Sequence, residues 1–363
     1  MTSEQEFLLN LIRSDLVGNM DFPMPERVDW DLLIEEAKRQ MVPVIASDGL
    51  QKLYDAGVYT VSGDREERKK KARWFSKTIS YEHRYAEQLA TAEKLESWFS
   101  DAGLRTVVLK GVTVSECYPV PSHRYSADFD CFLLKDGEHL QAFELGNRVV
   151  EEHGQTVDRG FYKNSVFTVG ELTVENHQFC TPFRGNDRLR RFEKLLEEMI
   201  AEGPLTGIEG TNLLAPPLLA SALFLTEHAY SHFLHEGLNL RHFLDWSMFR
   251  RKHLPDVDWT AFGRYVDEFG FRRFYDAFEH VGEYILGDRA SLTADEQRMM
   301  DSVWAGLDGH DTENGLIGRL QLVRNTLRSG WKYRCFAPIS MPRALWIQVR
   351  GVLFDRKPTI QND

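Results

Sequence analysis

Cysteine is scarce in this chain of 363 residues: Cys117, Cys131, Cys180 and Cys335 lie far apart, with no Cys-x-x-Cys pair. That spacing excludes a disulfide framework and a cysteine-built zinc site. Positive charge is also in deficit, since 44 Lys and Arg against 55 Asp and Glu leave a formal charge of −11. An extended nucleic-acid surface is excluded with it, because phosphate neutralisation by Lys and Arg supplies most non-specific affinity. A small anionic ligand remains open, for it needs only a local positive site. No stretch approaches the ~18 uninterrupted apolar residues of a membrane-spanning helix, so no transmembrane segment is expected. The opening Met1 to Glu6 is polar and acidic, and Asn10 and Arg13 interrupt the apolar residues after it, unlike a signal peptide. These absences predict a cytoplasmic protein with reduced thiols.

What is present suits a globular protein with a sizeable core, 42% hydrophobic and 27% charged. At roughly 150 residues per domain the length suggests about two domains. Apolar residues at three- and four-residue spacing predict helices over 4–16 and 29–39, and a long one over 65–100 that packs across a sheet. The mixed-charge run Arg65 to Lys71 reads as a solvated helix face, with a phosphate-binding patch as the alternative. After the turn-like Asp101-Ala102-Gly103, runs at 105–110 and 129–134 read as strands. A helix is predicted over 137–152, and 164–169 with 172–179 flank Gly170-Glu171 as a hairpin. Helices then return over 187–201, 215–234, 238–250, 259–269, 272–286, 294–304, 315–328 and 342–353. The fold class is therefore α+β: a helical part over 1–100, a small mixed-sheet α/β core over 101–185 and a helical C-terminal domain over 186–363.

The chemistry concentrates in Asp128-Phe129-Asp130. Side chains two apart on a strand share a face, so both carboxylates point one way while Phe129 and Cys131 point the other. Adjacent like charges are unfavourable unless they share a cation, and a hard divalent ion takes one or two carboxylates plus substrate phosphates. Glu175 and His177 share a face of another predicted strand, and a Glu projecting from a neighbour would complete a three-carboxylate metal site. Asp-x-Asp alone is a common surface pattern. Its place at the head of an apolar strand, and Lys110-Gly111 closing an earlier strand where glycine lets amides approach an anion, strengthen the reading.

Taken with Tyr118-Pro119, Arg124, Glu175-Asn176-His177, Glu227 to His232 and Leu240 to Trp246, these motifs resemble the uncharacterised bacterial nucleotidyltransferase family. That family is a divergent branch of the polymerase-β-type superfamily, and the similarity spans roughly residues 100 to 250. The resemblance implies a nucleotidyltransferase-type sheet core, with Asp128, Asp130 and Glu175 as ligands to Mg²⁺ or Mn²⁺ and Glu175 also placed to receive the acceptor proton. It implies that Lys110, Gly111 and the start of the following helix hold the β- and γ-phosphates of an NTP, expected to be ATP. Arg124 would contact phosphate or pair with the aspartates. Where the superfamily usually has Gly-Ser or Gly-Gly, this chain has Gly111-Val112-Thr113, with Thr113 the nearest hydroxyl. The acceptor is left unspecified, and a nucleotide-binding or interaction protein of the same fold without turnover is the alternative.

His228 and His232 share a helix face and have zinc-compatible spacing, but no Glu follows the first His as in a metalloprotease helix. A His-ligated metal hydrolase therefore competes with plain helix packing. The resemblance instead puts His228, His232, Arg241 and Asp245 in a polar network closing over the nucleotide, although Arg241 and Asp245 at i, i+4 also fit an intrahelical ion pair. His177 either orients Glu175, contacts substrate or is a satisfied core histidine. The basic C-terminal stretch, including Arg319, Arg324, Arg328, Lys332, Arg334, Arg343, Arg350, Arg356 and Lys357, fits amphipathic packing or a membrane-surface contact.

Overall fold

The computed structural model describes the chain except for residues 61–63, 137, 184–185, 307–329 and 347–363. Local capping sets the N-terminal helices. Thr2 and Gln5 form a reciprocal capping box on α1 (Ser3–Leu16), and Asp29 accepts from the Asp31 and Leu32 amides at the start of α2 (Trp30–Arg39). Next comes α3 (Pro43–Asp55), which the sequence reading missed. Its first five residues are all buried, and its polar stripe of Asp48, Gln51, Lys52 and Asp55 begins only after that opening turn, which leaves a short period to read.

The helix α4 (Arg65–Asp101) is 37 residues long, about 55 Å at 1.5 Å per residue. Its Trp74 is buried among the N-terminal helices and donates to Pro43 O at 2.7 Å, whereas Ala92, Leu95 and Phe99 pack against the sheet. The charged run at its start is largely a solvated face, with Lys69–Glu66 and Lys70–Asp31 ion pairs. Lys71 is the exception. It is buried between Glu67 and Tyr59, 4.0 Å from the Trp30 ring centroid, where the indole face attracts the ammonium.

The sheet comprises β1 (Arg105–Val108), β2 (Asp128–Leu134), β3 (Asn164–Val169), β4 (Leu172–His177), β5 (Thr206–Gly207) and β6 (Leu214–Ala215), ordered β3-β4-β2-β1-β6-β5. It is mixed: β2 runs parallel to β4 and antiparallel to β1, and β3 and β4 form the expected hairpin. The pair β5 and β6 went unread, because two-residue strands carry no alternation. One face of the sheet buries Phe129, Cys131, Leu133 and Val174 under the end of α4 and α6 (Leu140–Glu152). The opposite face carries Asp128, Asp130, Glu175 and His177 and looks toward α8 (Leu218–His235) and α9 (Leu240–Lys252).

Between and beyond these lie α5 (Val112–Ser115), α7 (Asp187–Glu202), α10 (Trp259–Glu268), α11 (Arg272–Leu286) and α12 (Ala294–Ala305). The fold is α+β, with the helical ends meeting around the sheet. Arg13 of α1 donates from Nε to Ile285 O at 2.9 Å and from Nη2 to Tyr284 O at 2.7 Å, and Gln40 donates to Val303 O at 3.0 Å. Among the basic C-terminal residues, Lys332 is buried 5.1 Å from the Phe233 ring centroid, as packing requires. The helix expected over 315–328 lies outside the described residues, as do Arg319, Arg324, Arg328, Arg350, Arg356 and Lys357.

Candidate active site

Strand register builds the site. In the parallel β2–β4 pair Asp130 lies directly opposite Glu175, and Asp128 opposite Thr173, so carboxylates from two strands stand side by side. His177, two residues beyond Glu175 on the same face, is fully buried. Its Nε2 lies 2.9 Å from Asp130 Oδ1 and 3.5 Å from Glu175 Oε2, while Nδ1 lies 3.1 Å from Phe179 O. Oxygen acceptors at both ring nitrogens favour the doubly protonated imidazolium. Burial and the charge of Lys163 oppose that form, but the hydrogen bonds to Asp130 and Glu175 prevail and raise the His177 pKa.

Lys110 reaches the same point from the end of β1, with Nζ 3.5 Å from Asp128 Oδ2 and 3.4 Å from Asp130 Oδ2. Burial works against every charge here, yet mutual attraction wins. The Lys110 charge and the His177 hydrogen bond hold Asp130 below the usual carboxylate range, and Glu175 is lowered chiefly by the His177 hydrogen bond and charge. Lys110 is raised by Asp130 and Asp128. Asp130 Oδ2 is buried and accepts no hydrogen bond. Among the described residues, one ligand atom from each of Asp130, Glu175 and His177 gathers within 4.8 Å, an arrangement able to hold a cation.

Gly111 has φ +83°, a conformation that favours glycine, although a Cβ there would make only ordinary contacts, 3.4 Å from Asp128 O and 3.5 Å from Ser126 Oγ. The cleft in front of it is lined by Lys110, Gly111, Ser126 and Asp128 from the sheet side and by His228, Arg241 and His242 from α8 and α9. It offers a volume of about 30 Å³ to water-sized occupants, room for an ion or a water or two.

Two expected roles change. Thr113 is turned away from the cleft, because on the single-turn α5 its side chain projects toward β5 and β6, and it lines a separate cavity. Ser126 is the hydroxyl beside Gly111. Arg124 touches neither aspartate of the Asp-x-Asp pair: Nε and Nη2 bind Asp245 Oδ1 and Oδ2 at 2.7 and 2.8 Å, and Nη1 reaches Gly111 O at 3.2 Å. Asp245 also accepts from Tyr118 Oη at 2.7 Å. The intrahelical Arg241–Asp245 pair therefore does not form. Arg241 donates to Tyr125 O at 3.0 Å instead, leaving its buried Nε unpartnered.

His228 and His232 have ring centroids 4.4 Å apart, and His232 lies 5.2 Å from His242. Burial drives His228 and His242 well below the ordinary histidine pKa, so both are neutral at pH 7. Among the described residues no third ligand gathers on this pair, which removes the support for a His-ligated zinc centre. Asn164 was not foreseen: its Nδ2 donates to Glu175 Oε2 at 2.7 Å. The hairpin register, pairing Asn164 with His177 about the Gly170-Glu171 turn, is the signal that points to it.

A family model of uncharacterised nucleotidyltransferases matches residues 26–286. The chain belongs to this family. No curated protein and no solved structure matches it. Membership implies a nucleotide substrate, and the match spans every residue just described. No described helix is long and apolar enough to cross a membrane.

Proposed function

We propose that this family member is a Mg²⁺-dependent nucleotidyltransferase that moves a nucleoside monophosphate from an NTP, ATP in the first instance, to an acceptor hydroxyl. The observation that carries the reading is the Asp130–Glu175 pairing beside an Asp130 oxygen with no hydrogen-bond partner. An unsatisfied buried carboxylate oxygen is costly, and a hard cation is its natural complement. Asp128, Asp130 and Glu175 would hold the ion, which lowers the pKa of an attacking hydroxyl and neutralises phosphate charge. Histidine is a poor partner for Mg²⁺, so His177 serves by fixing Asp130 Oδ1, while Oδ2 faces only the Lys110 ammonium at 3.4 Å, which the ion would displace.

The acceptor oxygen forms a bond to the α-phosphorus, its proton passes to Glu175, and the bond from the α-phosphorus to the bridging oxygen of the β-phosphate breaks, releasing pyrophosphate. Lys110 turns from the aspartates to the β- and γ-phosphates, and Gly111 keeps the backbone close to them. Arg124 and Asp245 act as a brace behind that turn.

One observation favours a second reading, nucleotide binding without turnover: the Lys110 ammonium, 3.4 to 3.5 Å from both aspartates, already supplies a cation there. Calorimetry of ATP with and without Mg²⁺, on the native chain and on Asp128→Ala/Asp130→Ala, separates the two. Transfer requires binding that depends on the metal and is lost in the double variant. Binding indifferent to both would overturn it.

A further inference from the structure

Behind the Lys110–Gly111 turn lies a second cavity of about 310 Å³, an order of magnitude roomier than the cleft in front of it. Its floor is apolar, made by Leu109, Val114, Ile208, Leu218, Leu225 and Phe249. One hydroxyl in its lining has no partner: Ser221, 8% exposed, makes no hydrogen bond among the described residues, whereas Thr113 Oγ1, also unpartnered among them, is buried beneath the surface. An apolar space with a few convergent polar groups is the usual make-up of a small-molecule site.

The rim gives the sign of the ligand's charge. Glu116, Glu209 and Asp256 stand there against Lys252, so with His253 neutral the rim carries 1 − 3 = −2. Burial and the neighbouring Lys252 lower the His253 pKa, consistent with neutrality. Lys252 turns its amine to Glu116 O at 2.6 Å; among the described residues no ion pair forms at the Glu116 or Glu209 carboxylates, and Asp256 Oδ2 lies 3.7 Å from the His253 ring. We propose that this cavity binds a small amphipathic organic cation, its apolar body against Leu225 and Phe249, a polar atom on Ser221, and its ammonium at the Glu116–Asp256 rim. Leu225 also lines the cleft, so the two spaces share a wall. The turn between them separates this ligand from the carboxylates, which makes it a second molecule rather than the nucleotide.

The test uses three probes of like shape, 2-phenylethylamine, 2-phenylethanol and phenylacetate, titrated by NMR into the full chain without nucleotide. Failure here is thus separate from failure of the transferase reading. The expected order is amine about fivefold tighter than alcohol, as an exposed charge pair allows, and carboxylate weakest. Ser221→Phe, which fills the cavity, should abolish all three. Glu116→Gln/Asp256→Asn, on the surface and safe for folding, should make amine and alcohol equal. Absence of saturable binding, equal affinity for the three probes, or an amine preference that survives the rim variant would overturn the proposal.

Discussion

Arg124 and Asp245, 121 residues apart in the chain, meet as a buried two-point ion pair. The Asp245 charge and hydrogen bonds raise the Arg124 pKa against the pull of burial, and Arg124 holds Asp245 low in return. The pair ties the Gly111 turn to α9, so it governs how the sheet and the helical layer face each other. Removing one partner strands the other charge in a dry place. Arg124→Met should cost about 3–5 kcal/mol in urea unfolding, and Arg124→Met/Asp245→Leu should recover most of it. Equal losses in single and double variants would show that the pair contributes packing alone.

His177 holds one Asp130 oxygen and reaches Glu175, so its removal should loosen the carboxylates without deleting a ligand from the proposed ion. His177→Ala is expected to weaken Mn²⁺ binding by roughly 10- to 100-fold, the usual effect of losing an outer hydrogen bond to a metal ligand. Titration followed by electron paramagnetic resonance measures it. An unchanged affinity would leave His177 a core residue.

Glu227 on α8 sits 2% exposed, and burial pushes its pKa up to about 8, with Lys163 opposing and Glu193 adding. The folded chain therefore keeps a proton that the unfolded chain, with its ordinary 4.5, releases. Its effect on stability is absent below pH 4.5 and grows as a loss from there to about pH 8. Glu227→Gln should abolish that slope, stabilising the protein by on the order of 4 kcal/mol at pH 8 and little at pH 4.5. Denaturation at the two pH values gives the comparison, and equal gains at both would refute it.

Gly49 lets α3 cross α1 at backbone contact: a Cβ there would lie 1.9 Å from Leu11 O. At Gly146 the obstacle is the tip of Leu133, 2.1 Å away, which can rotate. Gly49→Ala is therefore expected to cost about 3 kcal/mol or more and Gly146→Ala about 1 kcal/mol. Thermal unfolding of the two variants ranks them, and the reverse order would mean that the helices part more easily than the Leu133 side chain turns.

Period-two alternation made the shared face of Asp128 and Asp130 legible, and the Gly170-Glu171 turn fixed the hairpin that carries Glu175. Those signals are local, as are the caps and stripes of the helices. The partner of Arg124 was hidden because a bidentate ion pair across 121 residues leaves no spacing to read. Thr113 misled because a one-turn helix gives too little period to orient a side chain. The helix α3 escaped because its opening turn, 43–47, is buried all round and its polar stripe starts only at Asp48.

The hydrogen bonds from Arg13 to Ile285, 272 residues away, and from Gln40 to Val303 also set a clock on synthesis. At roughly 5–20 residues per second, the helices α1 to α3 leave the ribosome about 15–50 s before the segments that cover them. Through that interval Arg13 on α1 lacks its final partners on α11, the Tyr284 and Ile285 carbonyls. The first helices made are thus among the last to reach their native packing, and a newly made chain depends in that window on whatever shields its apolar N-terminus.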